Sequence, residues 1–193
     1  MSHIGAWLFK HRSYTGIPVF AVLLCVFWKE WEKDVAVWSA GPILVLCGSA
    51  LRFWAVRHIG RQARTRRAKV DRLVTTGPYV LMRNPLYFGN LMIGLGACVL
   101  SELLWMIPVF LVLFVFQYGC IIAWEQDVLR QRFGVTYGEY LIRTPALIPR
   151  LSDLRRALAK PALNMREALH RERDTVIGVA VMLMAFLAKE VVD

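Results

Sequence analysis

Apolar residues in this chain come in uninterrupted blocks rather than stripes, and that placement rules out most soluble folds. Residues 17–28, 40–51, 86–116 (with one polar break) and 176–187 are nearly continuous runs of aliphatic and aromatic side chains. A soluble domain would space such residues at helical or strand period, one face inward. Each block, extended by flanking polar or aromatic residues, approaches the ~20 residues a helix needs to cross a bilayer. The third suffices for two passes if it turns at Ser101-Glu102. The pattern predicts an all-α integral membrane helical bundle of about five transmembrane helices, near residues 13–31, 36–56, 85–100, 103–124 and 175–192. The third span is short, roughly 24 Å for its 16 residues, and is expected to begin inside the interface or to be partly re-entrant.

Charge follows the same map. The chain of 193 residues is 57% hydrophobic yet carries a net charge of +10. Of its 24 Lys and Arg, 21 fall in the N-terminus, in residues 52–83 or in residues 125–174; only Lys29, Lys33 and Lys189 fall in the alternate connections or tail. Basic and base-poor loops therefore alternate, as the positive-inside bias requires. This predicts a cytoplasmic N-terminus, a C-terminus outside and an odd number of spans. Contact with anionic headgroups accounts for the basic excess, and no aromatic-interleaved basic stripe points to nucleic acid. Cys25, Cys47, Cys98 and Cys120 sit singly inside apolar blocks and read as packing residues. The four His form no ligand cluster, so no metal site is expected. Residues 17–28 have no small-residue cleavage site after them, so they read as the first span and not as a signal peptide.

One membrane domain, residues 1–193, is expected. Residues 1–12 are amphipathic and suit the interface. Residues 57–84 form the main cytoplasmic loop, with a basic core at 64–69. Residues 125–173 return to the cytoplasmic side: the fourth span continues as a helix to Gly134, breaks across 133–140, and an amphipathic helix at 152–173 lies along the leaflet, interrupted at Pro161.

Three groups of polar residues ask for a chemical reason. Arg52 has Leu51 on one side and Phe53-Trp54 on the other, an expensive position in lipid. It either snorkels to the boundary or faces a cavity and grips an anion such as a carboxylate. The segment Gly77-Pro78-Tyr79-Val80-Leu81-Met82-Arg83-Asn84-Pro85-Leu86-Tyr87-Phe88-Gly89 breaks helices twice. Asn84 suits an N-cap and Pro85 the first helical turn, so the third span presents its free N–H groups and positive dipole end at the membrane boundary. Glu125-Gln126-Asp127 lies just past the fourth span. Because spans three and four form an antiparallel hairpin, residues 84–87 and 124–127 should meet. Glu125 then either accepts hydrogen bonds from an amine or ribose hydroxyls, or pairs with Arg83. No glycine-rich strand–helix turn suggests a Rossmann domain.

The string Leu73-Val74-Thr75-Thr76-Gly77-Pro78-Tyr79, followed by Arg83-Asn84-Pro85-Leu86-Tyr87-Phe88-Gly89, closely resembles the isoprenylcysteine carboxyl methyltransferase pattern LVTxGPYxxxRHPxYxG. Glu125-Gln126-Asp127-Val128-Leu129, Phe133-Gly134-Val135-Thr136-Tyr137-Gly138-Glu139-Tyr140, the tail at 144–149 and Leu51-Arg52-Phe53-Trp54-Ala55 also look like that family, so the resemblance covers residues 45–150. It implies a membrane methyltransferase that uses S-adenosylmethionine without a Rossmann domain. Carried over by position, Asp71, Arg72, Leu73, Val74, Tyr79, Asn84, Pro85, Leu86, Tyr87, Glu125 and Gln126 would hold the cofactor, with Arg64 near a further cofactor position. Arg52, Arg83 and Glu125 would serve the reaction, the two Arg handling the carboxylate of a lipophilic acceptor, such as a prenylated cysteine, that enters from the bilayer. Asn84 replaces the family His and Gln126 the second acid, which favours a mechanism with no general base at position 84. An ionised carboxylate needs none. A sterol-type NADPH reductase and a phospholipid N-methyltransferase are the alternatives; the acceptor and the oligomeric state stay open.

Overall fold

The computed structural model describes residues 2–12, 14–26, 34–60, 72–158 and 163–192. Among them the chain is all-helical: α1 Ser2–His11, α2 Ile17–Cys25, α3 Asp34–Ile59, α4 Pro78–Leu81, α5 Pro85–Leu100, α6 Met106–Arg143, a 3-10 turn Leu151–Asp153, α7 Leu154–Ala157 and α8 Met165–Val192. Among the described residues each expected apolar block lies mainly on helix, the third divided between α5 and α6. Length and composition qualify two of them, Val35–Ile59 and Met106–Arg143, to cross a membrane, and Pro85–Leu100 is a shorter apolar helix. Leu46 on α3 and Val112, Val115 and Phe116 on α6 are exposed, as side chains facing lipid would be. A count of five spans is therefore not established by the helices. Of the expected first span, α2 supplies nine residues, while Ser13 and residues 27–33 lie outside the described residues.

α3 and α5 form the closest pair, and glycine makes it possible. A Cβ on Gly48 would stand 2.6 Å from the Gly89 carbonyl oxygen, and one on Gly96 would stand 2.8 Å from that of Gly41. In lipid, where burial from water drives little association, such small-residue contacts bring backbones together. One core cluster gathers Leu23, Val45, Cys98, Met182 and Phe186 from four helices, with Leu103 from the turn before α6. α5 ends at Ser101, Glu102 takes a positive φ of 61°, and the chain reverses into α6. Lys189 Nζ on α8 donates to the Ser101 carbonyl at 2.9 Å.

Three expectations need correcting. The break expected across 133–140 is confined to Gly134 (φ 51°, ψ −123°), where two helical stretches meet at a kink; Gly138 is helical, and the second stretch runs on to Arg143. The segment expected as a separate leaflet helix at 152–173 is divided. A 3-10 turn and one-turn α7 come first, and Met165 onward is already α8, so the charged run 166–174 belongs to the helix that carries the last apolar block; Pro161 lies outside the described residues. Finally, α1 does more than rest on an interface. It packs on α6, where a Cβ on Gly5 would meet the Cys120 carbonyl at 2.5 Å, and Phe9 stacks 4.9 Å from Trp124.

Candidate active site

The segment between α3 and α5 is fixed by backbone chemistry. Gly77 has φ 62°, and a Cβ there would collide with the His58 ring; glycine alone serves both demands. α4 follows for one turn. The chain then extends through Met82 and is laced to the tail of α6: Arg83 N donates to the Pro145 carbonyl at 2.9 Å, Asn84 N to that of Ala146 at 3.2 Å, and Arg150 N to that of Leu81 at 2.9 Å. Tyr140 Oη donates to the Tyr79 carbonyl at 2.7 Å. These bonds satisfy extended backbone that no strand partner could serve.

Asn84 occupies the N-cap position of α5, but its side chain makes no capping bond. Nδ2 donates instead to the Ala146 carbonyl at 3.0 Å, so Asn84 ties two segments together. Pro85 opens the helix with no N–H of its own. One turn on, Tyr87 Oη donates to Glu125 Oε2 at 2.8 Å. The hairpin thus brings residues 84–87 and Glu125 together. Arg83 does not pair with Glu125: its Nη1 reaches the Leu141 carbonyl at 3.5 Å, and its Nε is buried with no partner.

A cleft of about 1000 Å³, its open mouth included, lies between these elements. Arg72, Leu73, Val74, Tyr79, Arg83, Asn84, Pro85, Leu86, Tyr87, Glu125 and Gln126 all line it. Arg64 and Asp71 lie outside the described residues. Phe9, Tyr137 and Tyr140 complete the wall. Tyr137 and Tyr140 stand in a motif already visible in the sequence, whereas only packing reveals Phe9. The Tyr79 hydroxyl is buried with no hydrogen-bond partner among the described residues. Burial, with Tyr140 and Glu125 adding to it, pushes its pKa well above the ordinary phenol range, so it faces the cleft as a neutral donor.

A larger cavity of about 2400 Å³, its open mouth included, adjoins the cleft and shares Phe9, Ile59, Leu86, Tyr87 and Glu125 with it. Its wall is drawn from α1, α2, α3, α5, α6 and α8 and is more apolar than polar. Arg52 lies here and not in the cleft, and its guanidinium is already engaged. Nε and Nη2 bind both carboxylate oxygens of Glu172 at 2.9–3.2 Å, Nη2 also reaches Thr175 Oγ1 at 3.0 Å, and Nη1 donates to Asn90 Oδ1 at 2.6 Å. Asn90 Nδ2 continues to Tyr118 Oη at 2.8 Å, whose ring lies 4.7 Å from that of Tyr87. A hydrogen-bonded chain therefore runs from α8 to Tyr118, whose ring packs against the residue that holds Glu125. Sequence reasoning missed Glu172, Asn90 and Tyr118. A lone Asn inside an apolar helix was the available signal for Asn90.

Residues 37–136 match the family model described as phospholipid methyltransferase. Among curated proteins, the chain is 30% identical over 162 residues to the nickel-cobalt-cadmium resistance protein NccN of Alcaligenes xylosoxydans xylosoxydans, covering 80% of this chain and 72% of that protein. It is 30% identical over 186 residues to the cobalt-zinc-cadmium resistance protein CzcN of Cupriavidus metallidurans, covering 95% and 76%. It is also 33% identical over 129 residues to protein-S-isoprenylcysteine O-methyltransferase B of Arabidopsis thaliana, covering 64% and 65%. No solved structure matches. With more than half its length inside the family model, and with the isoprenylcysteine methyltransferase motifs gathered around one cleft, this chain belongs to the phospholipid methyltransferase family and is a membrane methyltransferase.

Proposed function

We propose that the protein transfers a methyl group from S-adenosylmethionine to the carboxylate of a lipophilic, membrane-borne acceptor, with a prenylated cysteine as the best-fitting class. The observation that carries the reading is the pair of joined cavities: a cleft lined by Tyr79, Arg83 and Glu125, and a larger cavity walled by apolar side chains with Arg12 and Arg52 among them, that meet at Tyr87 and Glu125. In the cleft, the buried hydroxyl of Tyr79 and buried Nε of Arg83, both without a partner among the described residues, suit a ligand rich in acceptors such as a nucleoside, because a buried polar group left unmatched is costly. Glu125, with Oε2 bound by Tyr87, suits the cofactor's ammonium or ribose hydroxyls.

When bound, S-adenosylmethionine supplies a methyl on a sulfonium: an acceptor carboxylate oxygen gains the methyl as the sulfur leaves as a neutral thioether, and no proton moves. The residues need only bind, align and exclude water. Tyr87 and Glu125 stand where the two cavities meet. Phe9 and Leu86 close that junction with apolar surface. No general base is required, in keeping with Asn84, whose amide is committed to Ala146. The basic loops put the cleft on the cytoplasmic side in this reading.

The family's description gives one competing reading, methylation of a phospholipid amine. The deciding experiment incubates purified protein and labelled S-adenosylmethionine with N-acetyl-S-farnesylcysteine or with phosphatidylethanolamine vesicles. Base-labile label on the prenylcysteine supports the carboxylate reading. Base-stable label on the phospholipid, with none on the prenylcysteine, overturns it.

A further inference from the structure

The acceptor reading needs a cation for the acceptor's carboxylate, and the structure changes which residue can supply it. Arg52, the candidate from sequence, has Nε, Nη1 and Nη2 all bonded, with both oxygens of Glu172 against it. An incoming carboxylate would have to displace one that is already bidentate and buried. The larger cavity is lined by two other cations, Lys10 and Arg12. Lys10 is exposed. Arg12 is half-buried and held: Nη1 donates to the Phe9 carbonyl at 2.9 Å, and its guanidinium carbon lies 4.1 Å above the Phe9 ring. Phe9 belongs to the wall that both cavities share and stacks on Trp124, next to Glu125. Phe9 therefore anchors the Arg12 guanidinium in position while leaving its Nε and Nη2 free, with no carboxylate bound to it among the described residues.

We propose that Arg12, at the end of the packed N-terminal helix, is the residue that receives the acceptor's carboxylate in the larger cavity. The inference rests on the carboxylate reading above. A single guanidinium fixed on an aromatic ring orients the anion without the full neutralisation that a cluster of cations would impose, so the oxygen keeps its nucleophilicity. Methylation then removes the charge. The ester has nothing to hold it to Arg12, which favours release of product into the bilayer.

The test compares wild type, Arg12→Gln, Arg12→Lys and Arg52→Gln. Methyl transfer to N-acetyl-S-farnesylcysteine gives KM and kcat, calorimetry gives the Kd of S-adenosylhomocysteine, and competition gives the affinity of the uncharged amide of the same prenylcysteine. Arg12→Gln is expected to raise KM about tenfold or more, the loss of one charged hydrogen bond. Its cofactor-product Kd and its affinity for the amide should stay within about twofold of wild type. Arg12→Lys, which keeps the charge, should recover most of the KM. The proposal is overturned if Arg12→Gln leaves KM unchanged, if it weakens the amide as much as the acid, or if S-adenosylhomocysteine affinity falls in step. It is equally overturned if Arg52→Gln alone raises KM for the acid. Should wild type transfer no methyl to the acid, the carboxylate reading and this inference fall together; transfer by wild type with an unaffected Arg12→Gln refutes only the inference.

Discussion

Replacing Glu172 by Ala should unfold the protein far more readily than removal of one surface acid would. The Arg52 and Glu172 side chains are 14% and 7% exposed, so water restores little when the carboxylate goes. Thr175 and Asn90 still accept from the guanidinium but carry no charge. Stripping one partner from a buried pair costs about 3–5 kcal/mol, because the other charge is left uncompensated. At about 2–4 °C per kcal/mol for a chain of this size, the midpoint should fall by about 6–20 °C. Thermal unfolding in a single detergent, without ligand, measures it. The double variant Arg52→Met/Glu172→Met should recover most of the loss, since apolar replacement of a whole buried pair is often neutral. A shift below about 2 °C for Glu172→Ala, or a double variant as unstable as the single, would refute the claim that these two charges are spent on each other.

Other consequences are open to measurement. Glu125→Ala removes the acceptor of the Tyr87 hydroxyl and a cleft carboxylate; at about 1.5–3 kcal/mol for a charged hydrogen bond, S-adenosylhomocysteine should bind about 10- to 150-fold more weakly by calorimetry. Gly77→Ala combines a positive φ with a collision on His58 and should lower stability by more than the ~1–2 kcal/mol of a left-handed residue alone, seen as a lower midpoint together with lost ligand binding. The raised pKa of Tyr79 means the folded protein keeps a proton that the unfolded chain releases above pH ~10. Its contribution is therefore complete below that pH and is lost as pH rises further, and Tyr79→Phe should flatten the alkaline loss of stability.

Much of the architecture was legible because apolar blocks and the polar breaks between them are local. The hairpin at Ser101-Glu102 follows from a polar break in an apolar run, and with it the meeting of Tyr87 and Glu125. The return to helix directly after the break at Gly134 was not legible. Gly134 and Gly138 look alike in sequence, and only the former takes a positive φ. Glu172 was hidden inside a run of charges that reads as a solvated face. Yet Glu172, Thr175, Val179, Met182 and Phe186 follow one helical stripe, and with α8 starting at Met165 that stripe carries the carboxylate onto Arg52 as its lower end enters the core. The role of Arg52 accordingly differs from its sequence context, because the partner that neutralises it lies 120 residues away. α1 was read as interfacial since its packing depends on Gly5, whose value is the side chain it lacks.

The most direct test of a methyl-donor cleft at Tyr79, Tyr87 and Glu125 is calorimetric titration of the purified protein with S-adenosylhomocysteine, with NADPH as the competitor. Saturable binding that NADPH leaves untouched, and that Glu125→Ala weakens, is the predicted result. Tight binding of NADPH with no response to S-adenosylhomocysteine would contradict it.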